Sequence, residues 1–246
     1  MSGLELQEDC IEQAEASADF IRNHLWTTAG GFPPSITLDE YAHGLDGLVS
    51  LLQKSWREVD IAFAKKIAEA LIEDFYDTEV GGFYMAPKTR EDLIFNPKPT
   101  MDETRGPGNA IASSALNKLG LILGESKFRD AALNTLRWAR TIIEYNPGSH
   151  CAFMTSLFET ARIKYVVVFR GPDEERRRLL MTCHGDIFES CIFLEIPYGE
   201  LKTLPTYLPK IEPSDAMSIS KAYVFDGTTC SPALHNKDEI LNYLGT

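Results

Sequence analysis

Apolar residues recur at helical spacing through the first two thirds of the chain, and the character of the opposite face alternates from one segment to the next. In residues 4–25 the stripe is Leu6, Ile11, Ala14, Ala18, Ile21 and Leu25, with Glu5, Glu8, Glu12 and Glu15 elsewhere. Residues 37–54 carry Leu38, Tyr41, Ala42, Leu45, Leu48, Val49 and Leu52, and their other face is mostly small or uncharged. Residues 60–75 set Ile61, Ala64, Ile67, Ala68, Leu71, Ile72 and Phe75 against Lys65, Lys66, Glu69, Glu73 and Asp74, the pattern of a surface helix. Residues 110–123 hold Lys118 as their one charge, which predicts a helix buried nearly all round; residues 126–145 are amphipathic again, and 149–162 complete a third pair. Alternating covered and surface helices suit a double-layered helical ring. A plain bundle or an α-solenoid gives the same alternation.

Beyond Arg162 the period changes. Residues 165–169 (Tyr-Val-Val-Val-Phe), 191–196 and 221–225 read as strands, 174–183 and 238–244 as helices, and Pro197, Pro205, Pro209 and Pro213 punctuate a connection between them. The expected fold is therefore mainly α with a smaller α/β unit: a helical-hairpin domain over 1–162, then a three-stranded subdomain over 163–246 that would suit a short parallel sheet.

Residues 77–109 interrupt the helices. So long a connection inside a compact domain is functional or disordered, and its apolar residues Phe83, Tyr84, Met85, Leu93, Ile94 and Phe95 predict an inserted β-hairpin near 80–97. If the chain has a site, this is its expected address.

Charge and cysteine usage narrow the partners. The net charge of −12 repels nucleic acid and anionic membranes, and the run Arg176, Arg177, Arg178 follows Asp173, Glu174 and Glu175 as in a solvated helix with an acidic first turn. The opening residues lack a basic start and an unbroken apolar core, and no charge-free apolar run is long enough to span a bilayer. The five cysteines form no Cys-x-x-Cys pair, which fits reduced thiols in a cytoplasmic protein. Cys151, Cys183 and Cys191 read as core thiols and Cys230 as the one reactive candidate; His24, His150, His184 and His235 lack metal-ligand spacing, so neither metal nor cofactor is expected.

Four stretches together resemble a known family. Leu38-Asp39-Glu40-Tyr41-Ala42 is similar to a Leu-Glu-Asp-Tyr-Ala signature, and Phe75-Tyr76-Asp77 with Gly81-Gly82-Phe83-Tyr84 to Phe-Trp-Asp with Gly-Gly-Phe-Phe. Lys98, Asp102 and Gly108-Asn109 resemble Lys-x-x-x-Asp then Pro-Ser-Gly-Asn, and 222–232 (Ala-Tyr-Val-Phe to Cys-Ser-Pro) resembles Ala-Tyr-Val-Cys then Cys-x-x-Pro. The chain thus resembles the C-terminal part of the thioredoxin-domain-containing family that includes the spermatogenesis-associated protein. The resemblance implies a six-hairpin (α/α) toroid related to N-acylglucosamine 2-epimerases and glycosidase-like rings, of which this chain would hold about three hairpins and the terminal α/β unit. By this resemblance the thioredoxin-like domain is not expected within these residues, and its redox chemistry is not carried over. Gly106-Pro107 replaces Pro-Ser, Phe225 replaces a cysteine, and His43 replaces the usual Phe.

In such a ring the ligand cavity lies at one mouth, where helix N-termini present free N–H groups. The expected catalytic groups are Asp39, Glu40, His43 and Asp102, for acid/base chemistry of epimerase-like or glycosidase-like kind on a sugar. Tyr41, Tyr84, Lys98, Arg105 and Asn109 are the expected substrate-binding set. Each has a plainer reading: a Thr37–Glu40 capping box, loop ties from Asp102 and Asn109, an ordinary helix histidine, hairpin packing for Tyr84. Gly106-Pro107-Gly108 lacks the Lys and Ser/Thr of a phosphate loop. The competing reading is a non-catalytic module that completes its ring with a partner chain or a second copy, because half a ring leaves apolar edges uncovered.

Overall fold

The computed structural model describes residues 3–27, 30–33, 35–90, 92–183, 190–196, 220–226 and 229–245. His184 and the connection carrying Pro197, Pro205, Pro209 and Pro213 lie outside the described residues. The architecture is mainly helical with a small three-stranded mixed sheet.

Helix α1 (Gly3–Phe20) ends in a π-turn, Ile21–Leu25. Helix α2 (Leu38–Leu52) starts at Thr37, and α3 (Glu58–Ala70) widens into a second π-turn, Leu71–Phe75. The buried stripe of α2, with Leu38, Tyr41, Ala42, Leu45, Val49 and Leu52, faces Ile61, Ala64, Ile67, Ala68 and Leu71 across one core. A polar network reinforces this corner: the carboxylate of Asp60, fully buried, accepts from Arg57 at 2.6 and 2.9 Å and from Arg22 at 3.0 Å, while Arg57 also reaches Asp19 at 3.2 Å. A buried carboxylate without such partners would cost several kcal/mol.

Helix α4 (Gly108–Leu123) is central. It packs on α2, on α5 (Ser126–Tyr145) and on α6 (Cys151–Arg162), so even its Ser113, Ser114 and Asn117 are buried, and Gly124 closes it in the left-handed conformation at φ 66°. Side-chain pairing fixes the direction of the neighbours. The start of α2 bonds the start of α4, the segment before α4 bonds the start of α6, and further along Lys118 and Ser114 of α4 meet Glu159 of α6. Helices α2, α4 and α6 therefore run parallel, with their N-termini at one end.

Strand β1 (Tyr165–Arg170) pairs in parallel with β2 (Cys191–Glu195) through the crossover helix α7 (Asp173–Cys183), and antiparallel with β3 (Lys221–Phe225). The sheet is thus mixed, not the parallel one that the strand spacing suggested. Only the β1–β2 step has a crossover helix to carry it, and single bridges Ala222–Leu234 and Phe225–Cys230 cover the free edge of β3. Alternation along β1 sends Val166 and Val168 into the helical core, and Val167 and Phe169 against α7 and α8 (Lys237–Leu244).

Three local expectations need correction. No β-hairpin forms among the described residues of 80–97: Phe83 makes one bridge to Tyr76, and Asn96 presents its side-chain amide, not its backbone, to Ala86 at 3.0 and 2.8 Å. Met85 donates to the Pro97 carbonyl at 2.7 Å, but Pro97 and Pro99 have no N–H to continue a ladder. Arg176 is buried rather than solvated, held by Asp173 at 2.8 Å and Glu195 at 3.4 Å. Cys151 is exposed rather than in the core.

Candidate functional site

The expected catalytic acids lie at the common end of α2, α4 and α6, and each already holds a backbone N–H. Asp39 accepts from Gly108 N at 2.8 Å and so joins the first turns of α2 and α4. Only glycine suits position 108, because a Cβ there would stand 2.6 Å from Asp39 Oδ1 and 2.6 Å from Leu38 Cγ. Glu40 Oε2 accepts from Thr37 N at 2.9 Å and from the Thr37 hydroxyl at 2.6 Å, in a closed capping box. Burial pushes the Glu40 carboxyl up, but the Thr37 bonds and the charge of exposed Arg105 outweigh it and hold the group below its ordinary value. Asp102 accepts from Ala152 N at 3.3 and 3.2 Å, capping α6, while its own N–H donates to Ser149 O at 2.9 Å. His43 Nε2 lies 3.1 Å from Gly106 O, so that nitrogen carries the proton.

The binding set divides. Tyr41 is a core residue: its hydroxyl accepts from Phe32 N at 2.9 Å, its ring meets Trp26, Phe32 and Phe75 edge-on or tilted, and burial raises its pKa. Tyr84 and Lys98 close a knot around Asp77. Lys98 Nζ donates to Asp77 Oδ2 at 2.7 Å and to Gly81 O at 2.6 Å, under the Tyr84 and Trp138 rings, and the Tyr84 hydroxyl donates to the same carboxylate at 2.8 Å. Lys98, with further bonds from Tyr84 and the Val80 and Glu79 backbone, holds the Asp77 carboxyl far below the usual range; that bond in turn raises the Tyr84 phenol. Gly82 lies against α5 at φ 80°, where a Cβ would stand 2.7 Å from the Trp138 ring. Asn109, fully buried, mimics a strand: its amide oxygen accepts from Phe83 N at 2.6 Å, and its nitrogen donates to Phe83 O at 2.9 Å and Pro99 O at 3.0 Å.

The structure thus brings Asp39, Glu40, His43, Asp102 and Arg105 to the helix starts, and sets Tyr84, Lys98 and Asn109 around Asp77 and Phe83. Tyr41 belongs to neither group. Helix ends and loop base are built from these side chains, with their polar atoms engaged in the fold, except for Arg105, which is exposed and acts on Glu40 through its charge.

A polar group absent from the expected set lies farther along the same parallel helices. Lys118 donates to Glu159 at 2.9 Å, Ser114 donates to the other Glu159 oxygen, and Asp46 faces both charges and His43. Asp46 is half-buried, and burial, aided by Glu159 against the pull of Lys118 and His43, raises its pKa above the ordinary carboxylate value. Helical spacing signals Asp46 one turn beyond His43, but its neighbours come from distant sequence.

Among the described residues, three cavities stand elsewhere without an expected site residue in their lining. One, of about 600 Å³, runs between α5 and α6 over Leu133, Leu136, Ile143, Met154 and Leu157. A second, about 520 Å³, includes Trp26, Lys66, Glu69, Glu73 and Asp74, and a third, about 450 Å³, lies between α7 and α8. Among the described residues no cluster of three His, Cys, Asp or Glu side chains is placed to hold a metal, and no helix is long and apolar enough to cross a membrane. Burial raises the Cys230 thiol to about 11, the reverse of what a reactive thiolate requires. Comparison with protein-family models finds none that matches this chain, and comparison with curated proteins finds no match either.

Proposed function

We propose that this chain is a non-catalytic interaction module: a partial (α/α) toroid of about three helical hairpins that associates through its α5–α6 edge. Parallel α2, α4 and α6, backed by α3 and α5, support the toroid reading. The resemblance to the C-terminal region of the thioredoxin-domain-containing family agrees with it, and two departures from that family's pattern touch each other, His43 on Gly106. One observation carries the interaction reading. Acids expected to act on a sugar serve as helix caps, whereas the α5–α6 groove exposes Met154 and Leu157 beside buried Leu136 and Ile143. Exposed apolar surface of this kind marks association. Placing a charge in the groove, as in Leu157→Arg, is expected to abolish association measured by sedimentation velocity with circular dichroism unchanged; association equal to wild type would refute the reading.

A second reading rests on Asp46. A half-buried carboxyl with a raised pKa beside Lys118, Glu159 and His43 suits hydrogen bonding to a small polyhydroxyl ligand, and keeps alive the carbohydrate function that the resemblance implies. Titration calorimetry with monosaccharides tests it: binding lost in Asp46→Asn supports a site there, and no heat from the wild type eliminates it.

A further inference from the structure

Two apolar features of the chain, one convex and one concave, are left uncovered among the described residues of the proposed interaction module. The convex one is the tip of the 77–109 connection. Ile94 is 107 % exposed and Phe95 77 %, next to Leu93, an arrangement that a solitary protein has no reason to keep. The tip is not a loose tail. Its base is fastened by Asn96 on Ala86, by Met85 on Pro97, and by Lys98 on Asp77 and Gly81, and that base rests on α5 at Asn134 and Trp138. A projecting apolar group on a rigid base loses little entropy on docking, which favours binding.

The concave feature is the α5–α6 groove, whose volume of about 600 Å³ accommodates a pair of large apolar side chains. It follows the adjoining face of α5, at Leu133, Leu136, Arg137 and Arg140. Its rim carries Arg137, Arg140 and Glu144, and Arg140 pairs with Glu144 at 2.7 Å. Arg137 bonds the neutral Asn134 side chain, and no carboxylate pairs with it among the described residues. The tip carries an acid, Asp92, two thirds exposed, whose two oxygens accept from Arg90 at 2.7 and 2.8 Å.

We infer that the occupant of the α5–α6 groove is the 93–95 tip of a second copy of this chain, with the exchange made reciprocally across a two-fold axis. This rests on the association reading above and goes further by naming the partner. A knob and a hole on one chain permit such an exchange, because in a two-fold interface the knob of each copy meets the hole of the other. Asp92 of one copy then approaches Arg137 of its mate at the rim.

Sedimentation velocity on the full chain tests this with two surface variants, Ile94→Asp at the tip and Leu157→Arg in the groove, each checked for folding by circular dichroism. The wild type is expected to dimerise, and each variant to weaken dimerisation by about 30-fold or more, the effect of losing a central apolar contact. Mixed together, the variants are expected to form a heterodimer weaker than wild type, since one intact tip still meets one intact groove. A wild type that stays monomeric overturns the inference, as does a mixture that stays monomeric. If Ile94→Asp dimerises normally while Leu157→Arg does not, the tip is not the occupant but the groove still mediates association. Should both variants dimerise like wild type, the association reading falls with it.

Discussion

The base and the tip of the 77–109 connection are opposites in their chemistry. At the base every functional-looking side chain has a partner: Asp77 receives Lys98, Tyr84 and two backbone N–H groups, and Asn109 holds Phe83 by both its N–H and its carbonyl. At the tip Ile94 and Phe95 touch almost nothing. The difference teaches that polar residues in a conspicuous loop are no guide to chemistry until their bonds are known. Buried polar groups must be paired, and here the pairing consumes Lys98 and Asn109 in fixing the loop's shape. What that shape presents outward is apolar surface.

Substitutions at base and tip should therefore separate stability from association. Asn109→Ala is expected to be the most damaging. It leaves the Phe83 N–H and carbonyl inside the protein without partners, and at about 1–3 kcal/mol for each unsatisfied group the loss should approach 3–5 kcal/mol in urea unfolding. Lys98→Met ranks next, at about 2–4 kcal/mol, because it strands the little-exposed Asp77 carboxylate. It should also change the acid limb of stability. Asp77 in the unfolded chain titrates near about 3.9, and Lys98 holds it lower in the fold. Its contribution is thus complete above that value and is lost as pH falls through the folded pKa. Unfolding curves taken between neutral pH and strong acid should show this loss in the wild type and a flatter profile in Lys98→Met. Ile94→Ser is expected to be the mildest, altering stability by less than about 0.5 kcal/mol, since an exposed side chain contributes little to the fold of one copy. A marked loss there would erase the contrast between base and tip.

The same contrast explains what was legible in the sequence. Helices announce themselves through local periodicity: the α2 stripe, the nearly uncharged α4 and the Thr37–Glu40 capping box are all visible within a few turns. The three strands are equally plain, as runs of β-branched and aromatic residues. Partnership is not legible. Whether Asp39 faces a ligand or Gly108 N depends on a residue 69 positions away, and Asp102 finds its helix 50 positions on. The false hairpin has a similar cause, because the pattern of apolar residues cannot reveal that Asn96 stands in for a backbone partner of Ala86. Nor does spacing reveal strand direction, so the antiparallel β3 was out of reach. Asp46 shows in the sequence only as a residue one turn after His43; its raised pKa comes from burial, aided by Glu159 of α6 against the pull of Lys118 and His43.

The most direct test of the account is the mass of the untreated wild-type chain in solution, measured by sedimentation equilibrium from low to high micromolar concentration. A reciprocal dimer gives a mass that rises with concentration from the 27.5 kDa of one chain toward twice that value. A constant 27.5 kDa across the whole range would contradict it.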